Sequence, residues 1–192
     1  LSPLAWVMMA VTQVILCYLF LIHLQDFLTL QPQLKLLENA PGVTEYMIPR
    51  LYSPAASIYM LLMPLLTMRL LADEYKQKTI VLLFASSLSN TSIVLAKYLS
   101  LLLTLLIMLL LNSLMLLTLT WYVPLDLIGL VWALVGTFLF LSACGAAGLY
   151  FFSITQQPAT AAFTTFGFLF LIWMLGLSGS SQQATSEVMK YL

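Results

Sequence analysis

Long runs of apolar residues are the feature that most constrains how this chain can fold. A helix that crosses the roughly 30 Å hydrocarbon layer of a membrane needs about 20 mostly apolar residues. Five runs fit that length, at residues about 4–24, 54–71, 98–120, 127–152 and 159–177. Lipid offers no hydrogen-bond partner to an exposed backbone, so such runs cross a membrane as helices. The sequence therefore predicts an all-α polytopic membrane protein, with one transmembrane domain over residues 1–192.

The composition of the chain excludes a soluble globular protein. Hydrophobic residues make up 62% of the chain and charged residues 7%, whereas soluble domains are about 25% charged. The seven basic residues are scattered over 192 positions and balanced by seven acidic ones, too sparsely to follow a phosphate backbone. We therefore expect membrane lipid as a partner and no nucleic acid.

Two stretches need a decision about their boundaries. Residues 127–186 carry no charge but are too long for one helix, and the sequence SITQQP at 153–158 indicates a turn between two spans. The run at 4–24 could also be a signal peptide, but it lacks a basic start and exceeds the usual apolar length. We interpret it as a membrane span.

The distribution of Lys and Arg predicts an orientation, because these residues are enriched on the cytoplasmic side. The connection between the second and third spans carries four of them, Arg69, Lys76, Lys78 and Lys97, whereas the first loop carries only Lys35 and Arg50. This places the connection in the cytoplasm and the first loop outside. Five crossings leave the chain ends on opposite sides, so we expect a sixth helix and missing terminal pieces.

The first loop contains a second kind of apolar pattern. Phe27, Leu30, Leu34 and Leu37 recur at steps of three and four residues, and Pro41 with Gly42 follows them. Such spacing is typical of one face of a helix. We predict a short amphipathic helix at about 26–40 on the outer side, which either packs on the membrane or offers a docking surface.

The connector, residues about 73–97, is the most polar part of the chain between two apolar runs. Asp73 and Glu74 would begin a helix, where the dipole favours negative charge, with an apolar stripe reaching Phe84. Ser89 or Asn90 would cap a second helix leading into the third span. Two interpretations remain open: a stiff lever moved by a partner, or an ordinary interfacial connector.

The connector also resembles a known family signature. Its ordered residues are Glu74, Lys76, Thr79, Leu82, Leu83, Ser86, Ser89, Ile93, Val94, Leu95 and Lys97. This order resembles the cytoplasmic signature of ABC-2 type transporter permeases, in which an acidic pair, a Gly-Thr step, a leucine run, a Ser-Pro turn and a final Gly-Lys recur. Lys78, Ser87 and Ala96 depart from it, standing where that family usually has Gly, Pro and Gly.

Three longer stretches extend the resemblance over most of the chain. LLMPLLTMRLLADE, PGVTEYMIPRLY and GLYFFSITQQPATAAFTTFGFLFLIW are similar to the gliding-motility and nitrous-oxide-reductase-maturation branch of these permeases, the first of the two more closely. The resemblance implies an ABC-2 type, type V exporter-like domain of six helices with both ends cytoplasmic, in the plasma (inner) membrane of a bacterium. It also implies a second permease subunit, identical or related, and two cytoplasmic ABC ATPase subunits.

The resemblance further implies how energy reaches this chain. The sequence has no G-x-x-x-x-G-K-[ST] phosphate-binding loop, so we expect no catalysis and no cofactor here, with ATP and Mg on the partner ATPase. Six connector residues would couple the two proteins. Glu74, Lys76, Lys78 and Asn90 would contact the ATPase, while Thr79 and Leu83 would stiffen the lever.

Other functions receive less support from the residues. His23 is the only histidine and Cys17 and Cys144 lie in different spans, so neither a metal site nor a redox pair is indicated. The small residues at 142–148 suit close helix packing better than a nucleophile. The predicted spans carry no charge at mid-membrane, which disfavours an ion-coupled carrier. A subunit that transmits force without moving cargo stays an alternative.

Overall fold

The computed structural model describes residues 3–34, 43–77, 90–121, 126–155 and 157–190. Side chains are described mainly within 6–30, 44–68, 91–121, 126–155 and 159–176. The helices are α1 (Pro3–Leu34), α2 (Val43–Gln77), α3 (Asn90–Leu117), α4 (Leu127–Ile154) and α5 (Pro158–Lys190), with a 3-10 turn at Thr118–Trp121 after α3. The described residues are thus all-helical outside short connections.

All five helices are long and apolar enough to cross a membrane. The apolar stretches are Trp6–Leu30, Thr44–Met68, Val94–Trp121, Leu127–Ile154 and Ala159–Gly176, with mean hydropathy from 1.4 to 2.5. This confirms the prediction of a polytopic helical membrane protein with five spans.

Two helices differ in extent from the sequence prediction. Residues 26–34 continue α1 instead of forming a separate outer helix, and residues 35–40 lie outside the described part. Helix α2 begins at Val43 and not near residue 54, although Pro49 and Pro54 lie inside it. Proline removes one backbone donor, but packed neighbours make it tolerable in a membrane helix. The sequence prediction places Pro49 in the first loop and Pro54 at the start of the second span, because the sequence does not display that packing.

Helix α2 is the centre of the bundle, since it contacts each of the other four helices. Half of its most apolar stretch is buried, compared with 17% in α1, α4 and α5. It is also the least apolar span, with a mean hydropathy of 1.4. A helix surrounded by protein can hold more polar side chains than one that faces lipid, and α2 does so.

The ends of α2 and α4 are joined on the side of the bundle away from the connector. The Asp126 side chain accepts a hydrogen bond from the Ile128 N–H at 3.0 Å and so caps α4. Its own N–H donates to the hydroxyl of Thr44 at 3.1 Å. On the same side, the Arg50 guanidinium lies 3.4 Å from the centre of the Tyr46 ring. The Tyr46–Arg50 contact lies within α2, whereas the bond between Asp126 and Thr44 holds the start of α2 next to the start of α4.

Helix α4 passes close to α2 at Gly148. A Cβ atom at this position would lie 2.9 Å from Thr67 Cγ2 and 3.1 Å from Thr67 Oγ1. The Thr67 side chain has little freedom to move, because it is β-branched and its hydroxyl donates to the Met63 carbonyl at 2.9 Å. Glycine therefore allows the two backbones to pack at this distance.

We expect Gly148→Ala to destabilise the bundle by about 1–3 kcal/mol, the usual cost of overpacking. Thr67→Ala removes both atoms that the new methyl group would meet, so the double variant should recover most of the loss. Gly167→Ala is the control, because a Cβ there meets nothing within 4 Å. Reversible unfolding in mild detergent measures all three, and equal stability of Gly148→Ala and the control would contradict this packing.

Candidate functional site

The six predicted coupling residues fall at or between the ends of two helices. Glu74 and Lys76 lie in the last turns of α2, and Asn90 is the first residue of α3. The structure describes the backbone at these three positions and not their side chains. Lys78, Thr79 and Leu83 lie outside the described residues. Their roles in coupling stay predictions.

The backbone of α2 shows how the connector is joined to the bundle. Helix α2 does not end with its apolar run near residue 71 but continues without interruption to Gln77. At 1.5 Å per residue, this extension is about 9 Å long. The same helix contacts every other helix of the bundle. A displacement of the extension would therefore act directly on the central helix.

A second candidate site lies inside the bundle. It consists of five polar side chains from three helices, which we call the polar cluster: Gln13 of α1, Tyr52 and Tyr59 of α2, and Asn112 and Ser113 of α3. Asn112 is 0% exposed and Tyr59 is 1% exposed. Tyr59 and Asn112 both lie well inside their apolar spans. Four of the five side chains are thus buried within the membrane-spanning region, and Gln13 is half-buried.

Asn112 is the centre of this cluster, because it contacts both of the other helices. Its Nδ2 donates to the Tyr59 hydroxyl at 2.8 Å, and its Oδ1 accepts from Gln13 Nε2 at 3.2 Å. The Tyr59 hydroxyl donates in turn to the Met108 carbonyl, at 3.5 Å. One amide therefore joins α1, α2 and α3.

A second link in the cluster joins α2 and α3 alone. The Tyr52 hydroxyl and Ser113 Oγ are 2.7 Å apart, and Ser113 also lies 2.9 Å from the Leu109 carbonyl to which it donates. Both side chains are 5% exposed. Tyr52 and Tyr59 lie about two turns apart on α2, whereas their partners Ser113 and Asn112 are adjacent on α3, so both links hold α2 at one place on α3.

The chemistry of the cluster favours a structural role over ion transport. Its five side chains are uncharged, and a polar group buried in the membrane is stable only when it is hydrogen-bonded. Gln13 Oε1 is buried without a hydrogen-bond partner among the described residues. The cluster thus selects one arrangement of three helices, because sliding any of them would leave further polar groups unpaired.

Charge alone could not have indicated the polar cluster in the sequence. The available signal is an amide inside an apolar run, such as Asn112 in LLLTLLIMLLLNSLMLL or Gln13 in the first span. That signal marks each residue singly. It does not show that the two amides meet across 99 positions of the chain.

Four apolar helices around a central fifth, with a hydrogen-bonded polar cluster inside, define a multi-pass helical membrane protein. Comparisons with protein-family models, with curated proteins and with solved structures found no match. The resemblance to ABC-2 permeases therefore rests on the residues of the chain itself.

Proposed function

We propose that this chain is the membrane-spanning permease subunit of an ABC-2 type transporter in the bacterial plasma membrane. It would couple ATP hydrolysis by partner subunits to export or to energy transmission across the bilayer. The observation that supports this proposal most is the continuity of α2 from Val43 to Gln77. The connector residues that resemble the family signature begin on this extension.

The mechanism follows from the position of α2. Closure of the ATPase pair on ATP would press on the connector near Glu74, and a continuous helix transmits such a displacement along its axis. The polar cluster ties α2 to α1 and α3, so these three helices would move as one body. Rigid-body motion of this kind is a common basis of switching between two states.

Packing inside the bundle suggests where cargo would pass. Large side chains fill its centre, among them Tyr59, Met63 and Leu105, which are at most 1% exposed. A route between this chain and a second permease subunit fits that filling better than a route through one bundle. The expected second subunit, identical or related, is therefore part of the proposal.

The test is to purify the full chain in mild detergent and identify the chains that elute with it. We expect a cytoplasmic ABC ATPase, whose ATP hydrolysis is stimulated by the permease. Reversal of the connector charges, Glu74→Lys with Lys76→Glu, should lower co-elution. The matched control is Glu45→Lys, which changes an exposed charge near the opposite end of α2 and should leave co-elution unchanged. Recovery of the chain without any ATPase, together with transport driven by an ion gradient, would refute the proposal.

A further inference from the structure

A groove lies on the outer surface of the bundle between α3 and α4, at the end where the connector joins α3. Its volume is about 580 Å³. Its apolar walls are formed by Val94, Leu95 and Tyr98 of α3 and by Ala146, Leu149 and Tyr150 of α4. Ala146 leaves room there, since a larger side chain at that position would occupy the space.

The inner end of the groove is closed. One turn beyond Tyr98, the side chain of Leu101 packs at Gly145, where a Cβ would lie 2.5 Å from Leu101 Cδ2. Leu101 is 1% exposed. The Tyr98 hydroxyl also donates to the Ser142 carbonyl at 3.2 Å and so joins the two helices. The groove therefore does not continue toward the centre of the membrane.

The other end of the groove is polar. Thr91 and Ser153 line it there, close to the start of α3 at Asn90 and the end of α4 at Ile154. Seven residues separate Thr91 from Tyr98, which corresponds to about 10 Å along the helix. The side chains that line the groove thus change from hydroxyl-bearing to apolar over about one third of the thickness of the hydrocarbon layer.

The shape of the groove decides between possible occupants. Val94 and Leu95 are 57% and 58% exposed and face the surroundings of the bundle, which in a membrane are lipid. A partner helix is about 10–12 Å across with its side chains and would pack along the whole seam of α3 and α4. An acyl chain is thin, flexible and apolar up to a polar headgroup, and it matches a short groove with one closed end.

We propose that this groove binds one acyl chain of a bilayer phospholipid, with the polar headgroup region at Thr91 and Ser153. The bound lipid fills space that the two helices leave open and thereby supports their packing near the connector. This proposal rests on the membrane location of the helices and not on the transporter function.

The first test is native mass spectrometry of the full chain during stepwise removal of lipid by detergent. We expect the wild-type chain to retain a single phospholipid after the rest is lost. Ala146→Phe fills the groove and should abolish this retained species. Ala96→Phe is the matched control. Ala96 lies on α3 and is exposed, as Ala146 is on α4, but it does not line the groove. This variant should keep the lipid. Equal lipid retention by the two variants would overturn the proposal.

A second test uses the wild-type chain and does not depend on the folding of a variant. A phospholipid with a photoreactive diazirine on its acyl chain is incorporated in bilayers and cross-linked by light. We expect adducts on Leu95 and Leu149 to exceed those on Leu103, which is 60% exposed on the same helix as Leu95 but lies outside the groove. Uniform labelling, or labelling of Leu103 alone, would show ordinary lipid contact and refute a binding groove.

Discussion

Ala72→Pro is expected to reduce permease-stimulated ATP hydrolysis at least tenfold while the ATPase still co-elutes. Residue 72 lies in the α2 extension, between the apolar run and Glu74. Proline inside a helix removes a hydrogen bond and costs about 3 kcal/mol or more. That penalty shifts the balance between intact and broken helix by roughly 100-fold. The expected result therefore follows if α2 transmits motion as a continuous rod.

Two comparisons give this experiment its meaning. Ala72→Gln keeps a good helix former at the same position and should retain stimulation. Reversal of both connector charges, Glu74→Lys with Lys76→Glu, should abolish stimulation by weakening the contact itself, and thus lower co-elution. Membrane insertion is measured in parallel by membrane fractionation. Full stimulation in the proline variant would contradict the role of α2 as a rigid lever.

The spans were predictable because each one depends only on the composition of a continuous run of residues. A run of about 20 apolar residues has few alternatives to a membrane helix, and all five runs are helices. The starts of helices were less predictable, and α2 shows why. Its early part contains Glu45, Arg50 and two prolines, which are typical of a loop. Packing against the neighbouring helices, which the sequence does not display, stabilises these residues as a helix.

The polar cluster was not predictable for a related reason. Tyr52, Tyr59 and Asn112 acquire their role only when α2 and α3 lie side by side in one register. Each residue alone is compatible with a surface position or with an interhelical bond. The connector illustrates the opposite case, since its residues suggest a function through resemblance, whereas the described backbone adds only the continuity of α2.

The cluster and the α2 extension have a joint consequence for how a push would propagate. If α2 alone moved, the hydrogen bonds that join Tyr52 and Tyr59 to α3 would break inside an apolar region where water cannot replace them. Their loss would cost more than moving the three helices together. The proposed mechanism therefore requires that the hydrogen bonds of the cluster stabilise the bundle, and this stabilisation can be measured.

Asn112→Leu is expected to destabilise the bundle by about 2–3 kcal/mol. The variant removes two hydrogen bonds and leaves the Gln13 amide and the Tyr59 hydroxyl without this partner. An interhelical hydrogen bond in a membrane contributes about 0.6 kcal/mol on average, and up to about 1.7. An unpaired buried polar group adds about 1–3 kcal/mol. Reversible unfolding in mixed micelles of mild detergent and dodecyl sulfate measures the loss.

The matched control is Ser100→Leu, which places leucine at an exposed position of the same helix and should not destabilise. A triple variant, Gln13→Leu with Tyr59→Phe and Asn112→Leu, removes the unpaired groups together with their partner. Replacing all partners by apolar groups can be nearly neutral, so the triple variant should be more stable than Asn112→Leu alone. If the triple variant instead lost the sum of the three single effects, the residues would act independently, and the cluster would not hold α1, α2 and α3 as one body.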